Sequence, residues 1–283
     1  MPMVKMGNVW DRSVAVLDGR GGMLAGVAAL TLFVPQVIAA AYTAYAAPST
    51  AKVVIAVVIQ ILVTVAALWG QLVITAAASD PALDRPAAGR LARVRFGPAL
   101  LVALVLALAF SLLFLPAALL FSYAGIDVTH LGDRATPVVS SPGAAGAGGL
   151  YTVVMLIVVL FVAVRFLPLY AVVLHERLGL GAIARSWRLT RRHTWRLIGA
   201  VLLFLIVLLV ATMAAQSVSG LVLRLALGAD SAATVGFLSA SIAQGVSTAL
   251  TLMAIVFSAQ LYVALVAREQ LLRDKAARTW TDV

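Results

Sequence analysis

Apolar residues in this chain come in long unbroken runs, not short alternations. Six runs, at about 22–45, 53–77, 97–123, 149–175, 197–218 and 233–265, dominate the pattern. A bilayer core of roughly 30 Å takes about 20 helical residues to cross, and each run supplies that many. The last is long enough to continue past the membrane surface as one helix. None alternates with the period of two that a barrel strand requires. A helix satisfies its own backbone hydrogen bonds in lipid. The pattern therefore predicts an all-α integral membrane fold, a single six-helix domain over 1–283, with the spans paired as three hairpins.

Three of the polar segments between runs interleave arginines with apolar residues. VWDRSVAVLDGRGGML precedes the first span, LDRPAAGRLARVRFG the third and AIARSWRLTRRHTWRLIG the fifth. Each reads as a basic amphipathic helix lying in the membrane interface ahead of its hairpin. Laying Arg12-Ser13 on Arg185-Ser186 also sets Leu24 on Leu197 and Gly26 on Gly199, a thin pseudo-repetition. In the third segment Leu180, Ile183, Trp187 and Ile198 fall near one helical face. Arg185, Arg188, Arg192 and Arg196 fall on others. Rings at headgroup depth and guanidiniums toward phosphates make Arg185, Trp187, Arg188, Arg191, Arg192, Trp195 and Arg196 the candidate contacts to anionic phospholipid.

Charge gives the orientation. The N-terminal segment, the loops after the second and fourth spans and the C-terminal tail hold seventeen of the lysines and arginines. The opposite side holds three, Lys52, Arg134 and Arg224. This asymmetry predicts that both termini are cytoplasmic, in a bacterial-type inner membrane. It also accounts for the net charge of +10, so with no nucleic-acid-binding module in view no nucleic-acid partner is expected. Ala44-Tyr45-Ala46 resembles a signal-peptide cleavage site. The apolar segment before it is longer than a signal core and its leader carries Asp11 and Asp18, so retention is expected.

Composition narrows the chemistry. At 63% hydrophobic and 11% charged residues, the chain lacks the polar surface of a soluble domain. There is no cysteine, which excludes disulfides, thiolate metal sites and cysteine nucleophiles. His130, His175 and His193 fit no zinc spacing, and Asp127, His130 and Asp133 sit in an outer loop where solvation is the expected state. No metal or other cofactor is expected. No carboxylate lies within a span, as proton- or sodium-coupled carriers usually require, and no phosphate-cradling glycine motif, HExxH or serine–histidine–carboxylate set is visible. The expected role is non-enzymatic.

Polar residues inside the spans form stripes. Gln60, Thr64, Gln71 and Thr75 share a face of the second; Ser241, Gln244, Thr248, Thr251, Ser258 and Tyr262 share a face of the sixth. Thr212, Gln216 and Ser219 add a third stripe in the fifth. They serve either as glue between helices or as the lining of a shared groove. Arg165 lies within the fourth span, roughly 16 Å along the helix from Glu176, with no acidic residue in any span to pair it. Pro168 frees the carbonyl of Val164 nearby. Arg165 either hydrogen-bonds Gln60, Gln71, Gln244 or freed carbonyls, or snorkels to the interface, or receives a lipid phosphate.

The segment AIARSWRLTRRHTWRLIG resembles the cytoplasmic segment of the membrane domain associated with glycerophosphoryl diester phosphodiesterases. VRFLPLYAVVLHERLG upstream and LYVALVAREQL near the chain end share the likeness, which is most specific over about 160–200. Arg192 departs from it where glycine is expected, so the turn ending the surface helix is expected to differ. The resemblance implies a six-helix membrane module without the catalytic barrel, and so no hydrolase activity. The leading expectation is a membrane protein of phospholipid-linked or envelope physiology that binds anionic inner-leaflet lipid. A carrier for a small polar or amphiphilic solute is the first alternative. A scaffold for a partner membrane protein or a second copy of the chain is the other.

Overall fold

Each apolar run lies in a helical column. Met6–Tyr45, Thr50–Ser79, Arg85–Tyr123, Pro142–Glu176, Thr194–Leu227 and Ala232–Lys275 are long and apolar enough to cross a membrane. The computed structural model describes residues 6–47, 49–126, 140–191, 194–228 and 231–281. Asp127, His130 and Asp133 of the outer loop, and Arg192 and His193 of the basic segment, lie outside the described residues.

The first column is α1 (Met6–Ala28), a π-helical turn (Ala29–Phe33) and α2 (Val34–Tyr45). Then come α3 (Thr50–Ser79), α4 (Arg85–Tyr123), α5 (Pro142–Arg165), α6 (Leu169–Glu176), α7 (Gly181–Thr190), α8 (Thr194–Leu227) and α9 (Ala232–Thr281). The starts of three are fixed by capping side chains. Ser49 Oγ accepts from Lys52 N at 3.1 Å, Asp84 Oδ1 from Ala87 N at 2.8 Å and Ser141 Oγ from Ala144 N at 3.4 Å. The π-helical turn has its cause in Pro35, whose ring nitrogen cannot donate and would crowd the carbonyl four residues back. One extra residue relieves this, and Val34 N bonds Ala29 O instead.

Two of the expected interfacial helices are not separate elements. The basic stretches before the first and third spans are the opening turns of α1 and α4, which run on through Gly21-Gly22 and Gly97-Pro98 without a break. Only the third stands apart, as α7, and it ends at Thr190. Ile198 therefore belongs to α8 and does not share a face with Ile183 and Trp187. The contacts also draw no line between hairpins: α4 packs on α3 as extensively as on α5.

The centre of the bundle is α9, 50 residues and roughly 75 Å long. It touches α1, α2, α3, α6, α7 and α8. Of its most apolar stretch 44% is buried, against 6% for α8 on the perimeter. The tightly packed core lies toward one end of the bundle, where Leu72 and Ala76–Ala78 of α3 meet Ala88 and Ala92 of α4, Ala171 of α6 and Ala259 of α9. Small side chains let these helix backbones approach closely. That end collects α7, the start of α8 and the charged end of α9, and is the basic end of the protein. Toward the other end leucines such as Leu115, Leu119, Leu221 and Leu225 are exposed, a surface suited to hydrocarbon.

Candidate functional site

The site begins with a broken helix. Pro168 has no N–H for the helical ladder and disfavours helical backbone at Leu167, so α5 stops at Arg165 and α6 starts at Leu169. Leu169 N bonds Phe166 O, which leaves the Arg165 carbonyl without its usual helical donor. Ser186 Oγ of α7 donates to it at 2.8 Å, with Thr190 Oγ1 3.2 Å away and nearer to Ser186 O of its own helix at 2.9 Å. Ser258 of α9 donates to Leu167 O at 2.8 Å. The chain turns back after α6 through Arg177, φ 55°, and Gly179, φ 52°, both left-handed. This reversal lays α7 across the break with Ala182, Ser186 and Thr190 buried beneath it. The combined variant Ser186→Ala/Thr190→Val should lower stability by about 2 kcal/mol, the cost of orphaning a buried carbonyl. Chemical denaturation in detergent measures it, and a loss below a few tenths would show that water replaces both hydroxyls.

On the opposite flank of α7, Arg185 forms a clasp. Its Nε donates to Glu176 Oε2 at 2.7 Å, while Nη1 and Nη2 hold both oxygens of Glu269 at 3.1 and 2.6 Å. Arg273 adds a 2.8 Å bond to Glu269 one turn along α9. The hydrogen bonds it donates to Glu269, and after them that to Glu176, hold the Arg185 guanidinium charged well above its ordinary range, against the opposing effect of burial. From Glu176 the network continues inward. Tyr262 O–H stands 3.4 Å from Glu176 Oε1, the His175 ring stacks on Tyr262 at 5.6 Å, and Ser79 Oγ lies 2.8 Å from His175 Nε2. The serine–histidine pair, not visible as a motif, comes from helices 96 residues apart in the chain. The pair and the stacked ring together tie α3, α6 and α9.

Around the clasp lies an open groove of ≈ 660 Å³. Arg185, Arg188, Arg191, Arg268 and Arg273 line it against two carboxylates, Glu176 and Glu269. Leu178, Leu189, Leu265 and Leu272 supply aliphatic wall. Arg188 and Arg191 are exposed and carry no ion pair among the described residues. Trp195 and Arg196 are exposed at the start of α8, and Trp187 is partly exposed at the edge of α7.

A family model described as Domain of unknown function (DUF7847) matches residues 11–267. The chain belongs to the DUF7847 family. No curated protein and no solved structure matches it. The stretch matched to DUF7847 takes in the helix break, α6 and all of α7.

Within this DUF7847 chain the polar stripes end in different places. Gln60 lines an outer groove with Lys52 and Thr43 between α2 and α3. Thr64, Thr75, Thr212, Ser219, Ser241 and Thr248 donate to carbonyls of their own helices. No hydrogen bond joins Arg165 to Gln60, Gln71 or Gln244; its side chain instead meets Phe161 and Trp187. Two residues to which the sequence assigns no site role close the end of α3. Arg20 donates to the carbonyls of Ala77, Asp80 and Leu83 at 3.1, 3.3 and 2.9 Å and to that of Pro81, and Gln260 donates to Ala78 O at 2.6 Å. An arginine preceding a long span was the only signal for this cap, and it was counted as topology.

Proposed function

We propose that the chain is a non-enzymatic multi-pass membrane protein of phospholipid-linked or envelope physiology. It binds anionic lipid where its basic end meets the inner leaflet of a bacterial-type inner membrane, both termini cytoplasmic. In this reading α7 and the first turns of α1 and α4 lie at that interface and lead three hairpins. The observation that carries the proposal is the groove beside α7. Its cations outnumber its carboxylates, Arg188 and Arg191 have no ion pair among the described residues, and four leucines line the same space. A ligand with phosphate at one end and hydrocarbon at the other satisfies both. Trp187 and Trp195 suit headgroup depth. The resemblance of 160–200 to the membrane domain associated with glycerophosphoryl diester phosphodiesterases supports the phospholipid link.

The carrier and scaffold alternatives gain no comparable observation. A carrier needs the stripes to converge around Arg165, and they do not. The exposed apolar faces are those any lipid-facing span presents.

The test is native mass spectrometry of the whole protein from nanodiscs of phosphatidylglycerol or phosphatidylcholine. Arg188→Ala/Arg191→Ala should weaken retention of the anionic lipid roughly 30-fold, at about 1 kcal/mol per charge. Added salt should reduce the difference. Equal retention of phosphatidylglycerol by the double variant would discard the groove as the site.

A further inference from the structure

Arg165 is a buried cation that no carboxylate neutralises among the described residues. The residue is only 8% exposed. Its Nε is buried without a hydrogen-bond partner. Its one hydrogen bond among the described residues, from Nη1 to Trp187 O, is stretched to 3.5 Å. A charge acting on it is the like charge of Arg191. The guanidinium carbon lies 5.2 Å from the Phe161 ring centre and 4.8 Å from that of Trp187. With those centres 6.1 Å apart, the two rings form a corner around the guanidinium. Ring faces attract a cation, but they accept none of its in-plane hydrogen bonds. A buried donor left without an acceptor is rare enough to call for an unseen partner.

The surroundings define the partner. Val154, Ile157, Val158, Phe161 and Arg165 share one face of α5, at i, i+3, i+4, i+7 and i+11. The first four are exposed, so an apolar track on the perimeter ends at the unpaired guanidinium. Trp187, also part-exposed, borders that end. The fork of an arginine matches two oxygens of a phosphodiester.

We propose that the crease between α5 and α7 holds one membrane phospholipid, its phosphodiester on Arg165 and an acyl chain along the Val154–Phe161 face of α5. This rests on the membrane reading of the bundle, but not on the groove, which lies on the other flank of α7. The like charge of Arg191 makes an anionic lipid the better occupant.

The test is retention of phosphatidylglycerol through stepwise delipidation, read by native mass spectrometry. Wild type and Arg188→Ala, which removes a groove cation and leaves Arg191 in place, should both keep one tightly held lipid. Arg165→Met should lose it at least ten-fold more readily, and Arg165→Lys, which keeps the charge without the fork, several-fold more readily. Photolysis of a diazirine-tailed phosphatidylglycerol in the delipidated wild type should label the stretch 154–161. If the methionine variant does not fold, the lysine variant and the label carry the test. Equal retention by the folded Arg165 variants, or label spread evenly over the spans, overturns the proposal. So does stabilisation of delipidated wild type by inorganic phosphate alone to the level phosphatidylglycerol gives, which would make the site one for free phosphate.

Discussion

Arg185→Ala should lower the stability of the detergent-solubilised protein by about 2–3 kcal/mol, less than a fully buried pair would lose because all three clasp side chains retain some exposure. The alanine removes five donors and leaves Glu176 and Glu269, held by α6 and α9, facing the same emptied space. Arg273 still reaches Glu269, but Glu176 keeps only the longer approach of Tyr262. Most of the loss is thus the cost of stranded carboxylates, which gives the experiment its control. Adding Glu176→Gln and Glu269→Gln to Arg185→Ala should recover more than half of the deficit, a coupling that independent sites do not show. Since the guanidinium's pKa is raised, its stabilisation is complete throughout the working pH range. Thermal unfolding of the single and triple variants measures the coupling. A single variant within 0.5 kcal/mol of wild type would mean that α7 docks without the clasp.

The same clasp marks how far the sequence could be read. Run length alone identified six columns, because crossing hydrocarbon demands about 20 apolar residues whatever the tertiary fold. The α7 segment was legible as basic because four arginines within 185–192 break an otherwise apolar region. What it docks against was not. Glu269 sits 84 residues from Arg185, and nothing local distinguishes it from a solvated glutamate in a charged tail. Arg165 stands out in the sequence as an arginine with no acidic residue in the spans to pair it, yet its surroundings are not foreseeable there. The 16 Å estimate assumed one continuous helix to Glu176, whereas the break after Arg165 lets α7 fold across it. Pro168 signals a weakened ladder, but not that Ser186 serves as the replacement donor with the Thr190 hydroxyl beside it. Their spacing of four residues was visible; hydroxyls so spaced, however, usually bond their own helix, as Thr64, Thr75 and Thr248 do here. The displacement of the core toward the basic end was readable only in part, through the alanines clustered at 76–78.

Gly70→Ala tests the other feature that sets the bundle, the contact between the first column and α3. At Gly70 a Cβ would overlap the Thr31 hydroxyl and stand 2.6 Å from Thr31 Cβ, a distance that side chains do not adopt. Thr31 cannot swing away cheaply. It belongs to the π-helical turn imposed by Pro35, and its Oγ1 donates to Val27 O at 2.8 Å. Its branched Cβ is fixed by the backbone, not by a flexible side-chain end. The alanine must therefore push α3 off the turn, at a cost of about 2–3 kcal/mol, toward the upper end for overpacked sites. Two counter-effects are smaller. Alanine favours helix over glycine by at most about 1 kcal/mol, and the exposed outer halves of the columns can yield somewhat. Thr31→Gly should rescue Gly70→Ala, since moving the gap to the other helix restores the approach, whereas Thr31→Gly alone should cost only the lost packing. Unfolding midpoints of the two single variants and the pair decide it. A Gly70→Ala protein as stable as wild type would show that the columns are not held at this point, and that their spacing is set by the alanine-lined basic end alone.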